Sequence, residues 1–246
     1  MTEPTAVVIG VGAEIGLGAA LCRRFASAGM HVLIAGRTPS KLEKVATSIV
    51  AAGGSAEAVT MDATNEADVV KLFDHAMAPT NSREPAELIV YNAGGNQKVD
   101  FRELSAELFE QFWRVGCFGG FLVGREAARR LVPLGRGTMI FTGASASLRG
   151  KPGYAQFAAA KAGLRMVAQS MAREYGASGI HVAHVVIDGA IDGERLRSRR
   201  AEAIRERGED GLLNIEAIAE AYWQIHRQAR SAWTHELDLR PFKEPF

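Results

Sequence analysis

Tyr154 and Lys161 lie seven residues apart in an Ala-rich stretch, Tyr154-Ala-Gln-Phe-Ala-Ala-Ala-Lys161. It has no β-branched residue and no breaker after Gly153, which predicts a helix running to about Gly176. Seven residues are about two helical turns, so both side chains are expected on one face. A phenol can give a proton to a developing oxyanion, and a nearby ammonium can stabilise the charge. Phe157 stands between them and has no hydroxyl to exchange a proton. Tyr154 and Lys161 are therefore candidate catalytic residues, and the chemistry they permit is proton transfer beside a stabilised negative charge.

The N-terminal third offers a place for a dinucleotide. An apolar run, Thr5 to Ile9, reads as a buried strand and leads into Gly10-Val-Gly-Ala-Glu-Ile-Gly-Leu-Gly18. Helical periodicity follows up to Gly29, a C-cap signal. Strand, glycine turn and helix in this order are the context of a dinucleotide site. The glycines let the backbone approach a pyrophosphate, and the helix N-terminus faces the anion. Gly12, Gly16, Leu17 and Gly18 are the candidate contacts. A second strand, His31 to Ala35, ends in Gly36-Arg37-Thr38-Pro39 with no acid to bond ribose hydroxyls. Arg37 could instead pair with a 2′-phosphate, which favours NADP(H) and leaves NAD(H) as the other possibility.

Further strands are expected at 55–61, 88–91, 138–142, 181–187 and 235–239, alternating with helices at 39–52, 64–78, 105–131 and 215–230. That alternation argues for an α/β fold with a parallel, doubly wound sheet and one domain over 1–246. Thr64 or Asn65 is the expected cap of the 64–78 helix. Gly116, Gly119, Gly120 and Gly124 are poor helix formers, so packing must hold their segment, through close helix approach and with a subunit interface as one place for it.

Gly12-x-x-x-Gly16-x-Gly18, Asp62, Asn92-Ala93-Gly94 and Lys161 fall in this order along the chain. The whole pattern resembles the short-chain dehydrogenase/reductase family. The resemblance implies a single Rossmann-type sheet of about seven strands with helices on both faces, nicotinamide-cofactor binding, hydride transfer, and a homotetramer or homodimer. It also implies that Asp62 meets the adenine edge, that Asn92 steadies the central sheet, and that Gly94 lets the cofactor pass close by. Gly189 and Ile191 match the segment that closes over the nicotinamide, where Asp188 and Gly193 depart from the family pattern. A substrate lid is expected at about 188–212. Its arginines, Arg195, Arg197, Arg199 and Arg200, would suit an anionic substrate.

In the family a Tyr donates the proton, a Lys lowers its pKa and bonds the nicotinamide ribose, and a Ser orients the carbonyl. Here Phe157 stands at the Tyr position, Ala144 at the Ser position and Gly116 at that of a functional Asn. Only Lys161 is retained. Three readings follow. One is an oxidoreductase acting on C=O or C=C with a relocated donor, Tyr154 or Ser145; the Tyr-x6-Lys spacing is similar to that of the enoyl-ACP reductases. Another relays the proton through Lys161, a ribose hydroxyl and water. The third is a catalytically silent NADP(H)-binding sensor or partner subunit.

The totals set limits on partners. The 246 residues are 47% apolar and 23% charged, with a formal net charge of +1. That balance gives no reason to expect a nucleic-acid or membrane-surface partner. Cys22 and Cys117 sit in apolar helical patterns, and the six His lack zinc spacing, so no disulfide framework or metal site is expected. No long apolar run or secretory leader is evident, and the expected location is the cytoplasm.

Overall fold

The structure is a computed structural model that describes residues 2–78, 80, 82–199 and 201–244. Strands β1 (Glu3–Ile9), β2 (His31–Gly36), β3 (Ser55–Thr60), β4 (Arg83–Tyr91), β5 (Gly137–Thr142), β6 (Ile180–Ile187) and β7 (Glu236–Leu239) form one parallel sheet. Its spatial order is β3-β2-β1-β4-β5-β6-β7. The helices are α1 (Leu17–Ser27), α2 (Pro39–Ala51), α3 (Glu66–Met77), α4 (Ala106–Trp113), α5 (Gly119–Leu131), α6 (Ala155–Tyr175), α7 (Glu194–Arg199), α8 (Ala201–Arg207) and α9 (Ile215–His226).

A parallel sheet needs crossover helices, so both of its faces are covered and its strands read as unbroken apolar runs. All eight residues of β6 are buried. Neighbouring strand residues enter opposite cores. Ala6, Val8, Val32 and Ile34 pack with α1, α2 and α9, while Val7, Ile9, Leu33 and Ala35 pack with α3, α5 and α6. The strand order reverses between β1 and β4, which leaves a crevice beyond their C-terminal ends.

Two predicted elements come out differently, and one open alternative is resolved. β4 begins at Arg83 rather than Leu88, because its first half, polar apart from Pro85 and buried Ala86, pairs irregularly with β1, Arg83 opposite Glu3 and Ala86 opposite Thr5. The cap of α3 is Asn65, whose side chain accepts from the N–H groups of Ala67 and Asp68. The long helix expected over 105–131 is interrupted by a π-helical turn, Arg114–Phe118. Packing against α6 explains it. A Cβ on Gly116 would lie 2.7 Å from Ala160 Cβ, so the two helices approach as closely as they can. Tyr91 donates its hydroxyl to Val115 O at 2.5 Å, which satisfies a carbonyl in the widened turn. The other small residues of this segment also face the chain's own interior: Gly119 meets Tyr91, Gly120 meets Leu164 and Gly124 meets Phe141.

Candidate active site

The crevice is a cavity of about 1100 Å³ at the ends of β1, β4, β5 and β6. Gly12, Gly16, Leu17, Gly18, Asn92, Gly94, Lys161, Gly189 and Ile191 all line it. The turn after β1 fits a pyrophosphate on two counts. A Cβ on Gly12 would meet nothing within 4 Å, so the space above the turn is open. The N-cap of α1 is Gly16, with no side chain to bond the leading N–H groups; such a helix start suits an anion. Asn92 donates Nδ2–H to Gly10 O at 3.3 Å and its backbone N–H to Ile9 O at 2.8 Å, tying the β1 and β4 ends together. Ala93 packs its backbone against Gly10 and does not line the cavity.

Arg37 is exposed and has no ion-pair partner among the described residues. With Gly94, Phe112, Gly116 and Lys161 it lines a side arm of about 200 Å³. Asp62 lies apart from both spaces and accepts two hydrogen bonds from Thr64, at 2.8 Å each. Burial raises its carboxyl, but those bonds and the positive charges of Arg37 and Arg114 outweigh it and hold the pKa below the usual value.

Lys161 is 5% exposed. Its Nζ donates to Thr142 O at 2.7 Å, and Thr142 is itself held by the Tyr222 hydroxyl at 2.9 Å. Burial pushes the ammonium down to about 8. Tyr154, Ser145, Phe157 and Ala144 share the cavity wall with Lys161. The expected two-turn helical placement of Tyr154 needs correction. Tyr154 is the N-cap of α6, with φ −131° and ψ 26°, so its side chain leaves from a non-helical residue just before the first turn. Positive φ at Gly153 (+81°) bends the chain into this position. Upstream, Ser147 is buried and uses its Oγ to accept from Ala144 N–H at 3.1 Å. Ser145, one residue past Ala144, lines the cavity.

Several features had no clear sequence signal. Asp188 is 1% exposed and accepts from Arg149 at 2.8 and 2.9 Å, with Arg240 at 3.2 Å. These residues are far apart in sequence; the departure from the family pattern at 188 was the one available hint. Gln156 is fully buried and donates to Gln97 O at 2.8 Å. Of the arginines expected in a lid, Arg197 pairs with Asp192 and Arg195 donates to Asn96 O. Arg200 lies outside the described residues. Among the described residues no His/Cys/Asp/Glu cluster could hold a metal, and no helix is long and apolar enough to cross a membrane.

Comparison with known proteins adds three findings. A family model described as short chain dehydrogenase matches residues 5–203. An uncharacterized oxidoreductase of Bacillus subtilis (strain 168), YuxG, is 33% identical over 205 residues, which is 80% of this chain and only 29% of that protein's length. Among solved structures, a short-chain dehydrogenase from Rhodopseudomonas palustris is 38% identical with a TM-score of 0.82, covering 97% of this chain and 99% of its own. A chain from Agrobacterium tumefaciens, provisionally named a 2-deoxy-D-gluconate 3-dehydrogenase and holding NADP, is 25% identical with a TM-score of 0.82, covering 98% and 96%.

Proposed function

Since the chain belongs to the short-chain dehydrogenase family, we propose that it is an NADP(H)-dependent oxidoreductase that reduces a C=O or C=C bond with a displaced proton donor. The observation that carries this reading is the shared cavity. Lys161, Tyr154 and Ser145 line one wall, and Phe157 holds the place where the family has its Tyr. NADPH, when bound, supplies the hydride. Gly12, Gly16, Leu17, Gly18, Asn92, Gly94, Lys161, Gly189 and Ile191, which line the cavity, would hold it. Arg37, exposed and without an ion-pair partner among the described residues, would take the 2′-phosphate. NADP in the Agrobacterium relative supports that choice.

The chain's own residues then divide the work. Lys161, charged below about pH 8, favours negative charge developing nearby. The Tyr154 or Ser145 hydroxyl gives the proton. The segment 188–212 would close over the substrate, and assembly as a homodimer or homotetramer is part of the same proposal. The test is single-turnover NADPH oxidation against aldehydes, ketones, imines and enones, with Tyr154→Phe and Ser145→Ala beside the parent. A general acid contributes about 10²–10⁴ in rate, so one variant should lose at least roughly a hundredfold. Unchanged turnover in both removes the displaced donor. Tight NADPH binding without consumption of any substrate moves the reading to a sensor or partner subunit.

A further inference from the structure

The cations around the cavity are not equivalent. Arg197 is held by Asp192 at 2.8 and 2.9 Å, Arg195 donates to Asn96 O, and Lys161 to Thr142 O. Lys98 lines the same cavity and makes no hydrogen bond or ion pair among the described residues. Its stem is placed by its surroundings. A Cβ on Gly153 would lie 2.8 Å from Lys98 Cγ and 3.3 Å from Cε, so the methylenes run across Gly153, the residue before Tyr154. Two bonds pin the segment to the start of α6: Val99 N–H to Gly153 O at 2.9 Å, and buried Gln156 to Gln97 O at 2.8 Å. An amphipathic side chain laid along a surface in this way presents its ammonium in a restricted region. The acid on the cavity wall, Glu194, is at the other end, its N–H bonded to Ile15 O at 2.7 Å beside the glycine turn.

We infer that Lys98 is a specificity residue that selects substrates carrying a carboxylate near the bond being reduced. The inference rests on the proposed function. It moves substrate charge recognition from Arg195 and Arg197, which are engaged, to a lysine beside Tyr154. Lys98 is exposed where it lines the cavity; a carboxylate is the group that gains most from such an unpaired ammonium, and a neutral analogue leaves it without a partner.

The test uses three keto acids and their methyl esters: pyruvate, acetoacetate and levulinate, which set the carboxylate at increasing distance from the ketone. Binding to the full chain is measured by calorimetry with and without NADPH, so failure of cofactor binding is seen separately from failure of acid selection. At least one acid should bind about tenfold more tightly than its ester. Lys98→Met keeps the unbranched stem over Gly153 and should bring that ratio close to one. Arg197→Gln should leave the ratio as it is. No acid preferred over its ester, a preference that survives Lys98→Met, or a preference lost in Arg197→Gln would each overturn the assignment.

Discussion

Lys161 should make the fold less stable at neutral pH than in mild alkali, and Lys161→Met isolates the effect. Burial lowers its pKa from 10.5 to about 8. The unfolded chain therefore keeps this proton through a range in which the folded chain has lost it. Where the unfolded state binds more protons, stability rises with pH. Below about pH 8 the folded protein carries the full penalty of a buried ammonium, roughly 3 kcal/mol for that displacement. The penalty is relieved as pH climbs from 8 towards 10.5. Methionine keeps a similar length and volume with no charge to desolvate, and it forfeits the bond to Thr142 O equally at every pH where that bond exists. The clean quantity is thus the change in the wild type's stability relative to Lys161→Met. Between pH 7 and about pH 9.5 it should move in the wild type's favour by roughly 2 kcal/mol, or about 4–8 °C in Tm for a chain of this size. Urea unfolding of both proteins at the two pH values measures it. A difference that stays flat, or one that moves against the wild type, refutes the buried-ammonium account of Lys161.

Other perturbations have equally definite outcomes. Arg37→Gln should weaken NADPH about 10- to 100-fold and leave NADH nearly unchanged, as expected for loss of one charge-assisted phosphate contact; equal losses for both would mean that Arg37 reads no phosphate. Gly116→Asn, which restores the family's residue, forces a Cβ to 2.7 Å from Ala160 Cβ and should cost about 1–3 kcal/mol by denaturant titration. Gly116→Asn with no loss of stability would show that the π-helical turn and α6 can move apart. Asp188→Asn leaves Arg149 and Arg240 facing a neutral group at a 1% exposed site. It should lower stability by about 3 kcal/mol, the lower end for breaking a buried pair because Arg149 can rehydrate.

The cofactor half was legible because its chemistry is local. The glycine turn, its strand and its helix are contiguous, so Gly12, Gly16 and Gly18 could be assigned from spacing alone, and all line the cavity. The sheet was legible because burial on both faces leaves unbroken apolar runs, as in β6. The half of β4 before Leu88 was not, since Glu3 and Arg83 pair where no apolar signal exists. Tyr154 shows a different limit. Periodicity counts turns correctly only inside a helix, and the start of α6 falls one residue after it. The Arg149–Asp188–Arg240 cluster joins segments that only the folded sheet brings together.

The departures at 116, 144 and 157 are not three independent losses. Gly116 is fixed by the approach of Ala160, the residue next to Lys161, so an Asn there conflicts with the position of the helix that carries the lysine. At 144 the neighbouring hydroxyls have separated: Ser147 Oγ is committed to the backbone of its own turn, while Ser145 lines the cavity. Tyr154, the residue before the helix that carries Phe157, sits where positive φ at Gly153 and the stem of Lys98 shape the wall. Retention of Lys161 alone does not separate an enzyme from a binder, because a cofactor ribose would need it in either. Tyr154 and Ser145 both line the Lys161 cavity, and the proposed oxidoreductase has a use for a proton donor there that a binder lacks. That coincidence makes the paired Tyr154→Phe and Ser145→Ala experiment the decisive one.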